Sequence, residues 1–114
     1  MKNKSILFLS ALVLFLSGCG CKDEPPAVTL VNHGSAKASI QIKTSNGNTE
    51  NINNVDPGWS SGERRFAAGS IEFTVTIQGV LDPVVYSLSV EDCMDYVVSI
   101  NPDNSVSASH EERD

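Results

Sequence analysis

The sequence predicts an all-β protein, a small antiparallel two-layer β-sandwich, from the pattern that follows Pro25 and Pro26. From there on, the apolar residues form short runs that alternate with polar ones, and no stretch of about 11 residues repeats with helical period. Asn, Gly, Ser and Asp separate the runs, as turn residues separate strands. The short strands favour an immunoglobulin-like or transthyretin-like arrangement, with a small β-barrel as the alternative.

Seven strands are predicted within residues 27–109, which we take as the folded domain. The clearest is 70–78, where Ile71, Phe73 and Val75 point one way and the intervening Glu and Thr residues point the other way. This alternation is typical of a strand with one buried and one solvated face. The remaining strands are expected at 28–31, 38–44, 50–55, 84–90, 95–100 and 106–109.

Turn residues account for the connections between these strands. Residues 45–48 supply the positive φ that a hairpin turn requires, and residues 56–58 place Pro one residue before Gly. Residues 56–66, which contain several Gly and Ser residues, are predicted to form a loop. Residues 110–114 contain no apolar residue, and we expect an acidic flexible tail there.

Residues 1–18 have the composition of an export signal. Lys2 and Lys4 precede an apolar run over 6–16 that only Ser10 interrupts, and small residues follow it. A helix of this length rises about 18 Å, short of the roughly 30 Å hydrocarbon core, so removal fits better than permanent spanning. Without this segment the chain has 96 residues, and its net charge changes from −6 to −8 because two Lys residues are lost.

The end of this segment, Leu16-Ser17-Gly18-Cys19, resembles the lipobox of bacterial lipoproteins. The resemblance implies cleavage between Gly18 and Cys19, transfer of a diacylglyceryl group to the Cys19 thiol, so that Cys19 carries two or more acyl chains such as palmitate, and attachment to a bacterial membrane. Residues 19–26 would then form a lipidated tether. In bacterial lipoproteins, Asp directly after the acylated cysteine tends to retain the protein in the inner membrane of enterobacteria. This position is Gly20, so the resemblance favours the outer membrane if the host is Gram-negative. The alternative is an ordinary signal peptide whose Cys residue joins a disulfide.

Cys21 and Cys93 remain as an even pair in an oxidising compartment, which favours a disulfide between them. The alternatives are a free Cys21 on a mobile leader and a buried Cys93 that acts as a small hydrophobic residue. Cys19 and Cys21 are not followed by a second pair at ligand spacing, so a structural metal site is not expected.

The acidic balance and the small size exclude several classes of function. A mature chain with a net charge of −8 has too few basic groups to release counterions from nucleic acid, so we expect no nucleic-acid partner. Its 35 apolar residues suffice for one modest core. A large enzyme with an elaborate cleft is therefore excluded.

No group of residues has the pattern of a catalytic or metal site. His33 follows a predicted strand, but no nucleophile elbow accompanies it, and His110 lies in the predicted tail. Glu91, Asp92 and Asp95 cluster in sequence without the spacing of a calcium loop. We therefore expect no enzymatic activity, no cofactor and no metal.

Trp59, with Arg64 and Arg65, is the one candidate for a partner-binding site. Trp and Arg are frequent at the centres of interfaces, and loops on a rigid scaffold commonly carry binding residues. A single Trp in a small domain is more often part of the core, and we favour that interpretation.

These expectations favour a lipid-anchored, non-catalytic binding or structural module of the bacterial envelope. It would be held on the lipid bilayer through Cys19 and would meet a protein partner with a basic surface. The alternative is an inhibitor or immunity protein against a cationic envelope-targeting hydrolase, because a negative charge accelerates encounter with a basic target.

Overall fold

The computed structural model describes residues 21–113, and the sequence predictions for residues 1–20, which include cleavage after Gly18 and acylation of Cys19, lie outside them. The described residues contain eight strands and no helix. The strands are β1 (Ala27–Asn32), β2 (Ala38–Lys43), β3 (Thr49–Val55), β4 (Ser60–Arg65), β5 (Gly69–Ile77), β6 (Val84–Val90), β7 (Met94–Ile100) and β8 (Val106–Glu112).

The strands form two four-stranded sheets, which confirms the predicted β-sandwich. Sheet I has the order β4-β1-β7-β8 and sheet II the order β3-β2-β5-β6. Neither sheet closes into a barrel among the residues that the structure describes. Every neighbouring pair is antiparallel except β1 and β7, which run parallel. The sandwich is therefore mostly, but not wholly, antiparallel.

The connections divide between two opposite ends of the sandwich. At one end, which we call the Cys21 end, residues 21–26 meet the connections 44–48, 66–68 and 91–93. At the other end, the Trp59 end, lie the connections 33–37, 56–59, 78–83 and 101–105.

The core lies between the sheets and consists of the inward-facing residues that strand alternation specifies. Val28 and Leu30 of β1 are fully buried, as are Ile71, Phe73 and Val75 of β5. The predicted strand 70–78 thus has its apolar face inward, as expected from its period of two. Burial of such apolar side chains is the main favourable term in folding.

Strand β4 occupies part of the region predicted to be a loop, which corrects that prediction. Its sequence, Ser-Ser-Gly-Glu-Arg-Arg, shows no apolar alternation. It is an edge strand, and its backbone pairs with β1 in a register that places Arg65 opposite Ala27 and Arg64 opposite Val28. The register shifts near Gly62, whose φ is 71°. Backbone pairing at an edge does not require apolar side chains, so the sequence pattern gave no sign of it.

Two further predictions are corrected at the Cys21 end. Strand β8 continues to Glu112, so residues 110–112 of the predicted tail are paired with β7. Residues 21–26 of the predicted tether are also held against the domain. The Pro26 carbonyl accepts a hydrogen bond from the Phe66 amide (3.2 Å), and Pro26 itself is fully buried.

Candidate functional site

The predicted disulfide between Cys21 and Cys93 is present, with the two Cα atoms 5.7 Å apart. It joins the start of the described chain to the short connection between β6 and β7. On the chain-entropy model, closing a loop of this size stabilises the fold by about 4 kcal/mol. The disulfide therefore ties residue 21 covalently to the end of the sandwich.

The Cys93 backbone reinforces this connection through both terminal segments. Its N–H donates to the Glu24 carbonyl (2.9 Å), and its carbonyl accepts a hydrogen bond from the Arg113 N–H (2.8 Å). Cys93 has a φ of 65°, a conformation that turns its N–H and carbonyl toward these two segments. The N-terminal and C-terminal segments thus meet at one residue.

The Arg113 guanidinium forms a second, ionic link at the Cys21 end. Its Nη2 and Nε atoms donate to the Asp95 carboxylate (2.8 and 3.1 Å), and Nη1 donates to the Glu24 carboxylate (2.8 Å). Nη2 also lies within hydrogen-bond distance of the Met94 carbonyl (3.1 Å). The hydrogen bond to Asp95 is the main cause that raises the pKa of Arg113 above its usual range. The Arg113 side chain therefore holds residue 24 to strand β7.

The structure does not bring Trp59 together with Arg64 and Arg65. Trp59 precedes β4 at the Trp59 end, whereas the two arginines close β4 at the Cys21 end, about 17 Å further along the strand. Trp59 is partly buried and packs against the core, in agreement with the favoured interpretation. The three residues therefore do not form one continuous surface.

Both arginines are engaged within the domain. Arg64 lies opposite the inward-facing Val28, and its Nη1 atom lies 3.2 Å from the Glu50 carboxylate of β3, across the gap between the sheets. Its Nε atom is buried and has no hydrogen-bond partner among residues 21–113. Arg65 lies on the outer face and pairs with Glu63 at 3.0 Å.

The sequence analysis missed Asn32, which organises the Trp59 end. Its side chain is fully buried and donates to the carbonyls of Ala36 (3.0 Å) and Val55 (3.2 Å), while its Oδ1 atom accepts a hydrogen bond from the Gly34 N–H (2.9 Å). Its backbone exchanges hydrogen bonds with the 56–59 connection. The sequence did contain a sign of this role: Asn32 is a polar residue at an inward-facing position of β1, two residues after Leu30.

The remaining candidate residues lie apart from one another. His33 is exposed at the Trp59 end, and His110 lies in β8 near the Cys21 end, where its ring centroid is 6.1 Å from that of Tyr96. Of the three predicted acidic neighbours, Asp95 is bound by Arg113, and Glu91 and Asp92 are exposed. Within residues 21–113, no group of three or more His, Cys, Asp or Glu residues is arranged to hold a metal ion.

No protein-family model matches the chain, and no curated protein is significantly similar to it. In residues 21–113 there is also no helix of the length and apolar character needed to cross a membrane.

Proposed function

We propose that the chain is a lipid-anchored protein of the bacterial envelope whose sandwich is a non-catalytic binding or structural module. The lipobox-like residues before Cys19 support the anchor. The observation that carries the proposal is the disulfide at Cys21, because it attaches the chain to the sandwich two residues after the proposed acylation site. A structural disulfide also fits export to an oxidising compartment.

This arrangement gives the domain a defined position. Two residues span at most about 7 Å, so an acyl anchor on Cys19 would keep the Cys21 end close to the bilayer surface. The Trp59 end would then lie farthest from the membrane. The exposed Leu81 and the partly buried Trp59 belong to the connections at that end. Gly20 supports the outer membrane as the location in a Gram-negative host.

The inhibitor hypothesis receives less support from the distribution of charge. Glu91, Asp92, Glu111 and Glu112 have no ion-pair partner within residues 21–113. All four lie toward the Cys21 end, whereas two acidic residues without an ion-pair partner in the described part of the chain, Asp82 and Asp103, lie at the Trp59 end. In an anchored molecule this acidic region would lie beside the bilayer, where a large cationic hydrolase has the least access. We therefore propose the binding module.

The substitution Cys19→Ser tests the anchor. The full chain is expressed in bacteria fed with an alkyne fatty acid, and the label and the intact mass are measured. We expect the wild-type protein to begin at Cys19, to carry the label and to partition into detergent, whereas Cys19→Ser loses the label and the detergent partitioning.

The matched control removes the other two thiols through Cys21→Ser and Cys93→Ser. Because these residues form the disulfide and not the anchor, the control should keep the label. An unlabelled wild-type protein, or label that persists in Cys19→Ser, would show that Cys19 is not the anchor.

A further inference from the structure

The outer face of sheet II carries a compact array of uncharged polar side chains. Strand register places Gln41 opposite both Asn51 and Thr74, and Ser39 opposite Thr76. Neighbouring strands are about 4.8 Å apart, so the array is about 10 Å wide across three strands. We call this surface the amide groove, defined by Ser39, Gln41, Asn51, Asn53, Thr74 and Thr76.

The amide groove is neutral although the chain is acidic. Charged residues flank the groove along the strands: Lys43 and Glu72 stand opposite each other next to the row of Gln41, and Lys37 lies beyond Ser39 toward the Trp59 end. No charged residue occurs among the six residues of the groove, in a chain with 14 Asp and Glu and 8 Lys and Arg. Charge is therefore confined to the margins of this face.

The choice of residues in β3 runs against strand preference. Asn51, Asn53 and Asn54 make up three of the seven residues of β3, although Asn is depleted in strands. At Asn54, whose φ is 58°, the strand forms a bulge, and the Asn54 N–H donates to the Ser39 hydroxyl (3.1 Å). The bulge accounts for Asn54, because Asn tolerates a positive φ, but no such structural gain accounts for Asn51 and Asn53. Residues that violate a local preference in this way often mark a functional site.

The fold makes no use of most of these polar groups. The side chains of Gln41, Asn51, Asn53, Thr74 and Thr76 form no hydrogen bond with any other residue in the described part of the chain. All of these residues are exposed except the half-buried Thr74, so their donors and acceptors are available to a ligand.

The surface is grooved rather than flat. A depression of about 250 Å³ is lined by the six residues and Ile40. A second depression of about 220 Å³, lined by Lys37, Ala38, Ser39, Asn54, Thr76 and Gln78, shares Ser39 and Thr76 with the first. The two together follow the strands toward the Trp59 end for about 14 Å, measured over four residues of β2.

We propose that the amide groove binds a strand of uncharged polysaccharide. Each sugar hydroxyl both donates and accepts hydrogen bonds, and so do the amides and hydroxyls that line the groove. A neutral ligand meets this surface without having to desolvate a charge. Nucleic acid needs basic groups, which the six residues of the groove lack, and an added peptide strand would pair with the backbone edge of β3 and not with the sheet face that carries the groove.

This ligand belongs to the binding module proposed above. The inference therefore rests on that binding role, but it does not depend on acylation of Cys19. The full chain, purified from the expressing bacterium and ¹⁵N-labelled, is titrated with chitotetraose and with maltotetraose, and a charged tetragalacturonate serves as comparison. We expect a neutral oligosaccharide to shift the amide signals of β2, β3 and β5, and we expect the charged one to bind at least tenfold more weakly.

The decisive variant is Gln41→Glu with Asn51→Asp, which preserves shape but replaces two amide donors with carboxylates. We expect it to weaken oligosaccharide binding by about tenfold or more, since hydrogen bonds contribute roughly 1 kcal/mol each. The matched control, Ser107→Asp with Ser109→Asp, adds the same charge to the exposed outer face of sheet I and should leave binding unchanged. Melting curves verify that both variants are folded.

Three outcomes would overturn the proposal: no signal shift with either neutral oligosaccharide, equal weakening in the control, or stronger binding of the charged sugar. The intact mass of the same samples reports whether Cys19 is acylated. Binding without acylation would contradict the lipid anchor and support the groove as a binding site. Acylation without binding would support the lipid anchor and contradict the groove as a binding site.

Discussion

Asn32 is the one polar residue among residues 21–113 whose side chain is fully buried. A buried amide is favourable only when its donors and acceptors are satisfied, and the three side-chain hydrogen bonds of Asn32 achieve this. They connect the 33–37 connection with the end of β3. The shape of the Trp59 end therefore depends on a single side chain.

Asn32→Ala should destabilise the protein strongly. The substitution leaves the Gly34 N–H and the carbonyls of Ala36 and Val55 without their partner, and we expect a loss of about 3 kcal/mol in the free energy of unfolding. Urea denaturation measures this loss. Asn53→Ala is the matched control because Asn53 is exposed, and its effect should stay within about 0.5 kcal/mol. Equal stability of the two variants would contradict the role of Asn32.

At the scale of elements, the turn between β7 and β8 contains a carboxylate that links stability to pH. The Asp103 carboxylate accepts hydrogen bonds from the Ser105 hydroxyl (2.6 Å) and the Ser105 N–H (3.1 Å). These bonds, the hydroxyl one first, lower the pKa of Asp103 below its ordinary value of 3.8.

The Asp103→Asn variant should expose this link. A lowered pKa in the folded state means that the unfolded chain takes up the proton first, so the carboxylate stabilises the fold above pH 3.8 and loses this effect as the pH falls through the folded pKa. We expect the wild-type protein to melt at a slightly higher temperature than Asp103→Asn at pH 7, and the difference to shrink as the pH falls below 3.8. A difference independent of pH would refute the link.

The strands show which features of the fold could be predicted from sequence. β5 was predictable because it alternates between buried and exposed positions over its whole length. β4 was not, because an edge strand with polar side chains is held by its backbone pairing with β1. The parallel pairing of β1 with β7 could not be predicted either, since it joins residues 68 positions apart, such as Ala27 and Asp95, and depends on the assembled core.

The candidate sites could likewise be predicted from the sequence only in part. The disulfide was predictable because an even number of thiols remains if the chain is exported and Cys19 is acylated, as the sequence predicts. The separation of Trp59 from Arg64 and Arg65 was not, because a loop would have allowed them to meet and a strand keeps them apart. The ion pair between Arg64 and Glu50 joins two edge strands of different sheets. An inward charge of this kind discourages further strands from adding to the edge.

At the scale of the whole molecule, the two terminal segments are fastened to one end of the sandwich by two different means. The Cys21–Cys93 disulfide is covalent, and the Arg113 contacts with Glu24 and Asp95 are ionic and only partly shielded from water. Exposed ion pairs contribute little on their own, so the disulfide should provide most of the stabilisation.

Removal of the disulfide by Cys21→Ser with Cys93→Ser should lower the free energy of unfolding by about 4 kcal/mol, because the unfolded chain regains the freedom of a large loop. The core and both sheets remain, so the variant should still fold. Urea denaturation measures the loss, and Arg113→Lys, which keeps the charge but not the fork of donors, should cost far less. The amides of Cys93 and Phe66 donate to Glu24 and Pro26, so their hydrogen exchange reports whether residues 24–26 stay docked. If Arg113→Lys proved as costly as the loss of the disulfide, the ionic contacts would be the principal fastening of the Cys21 end.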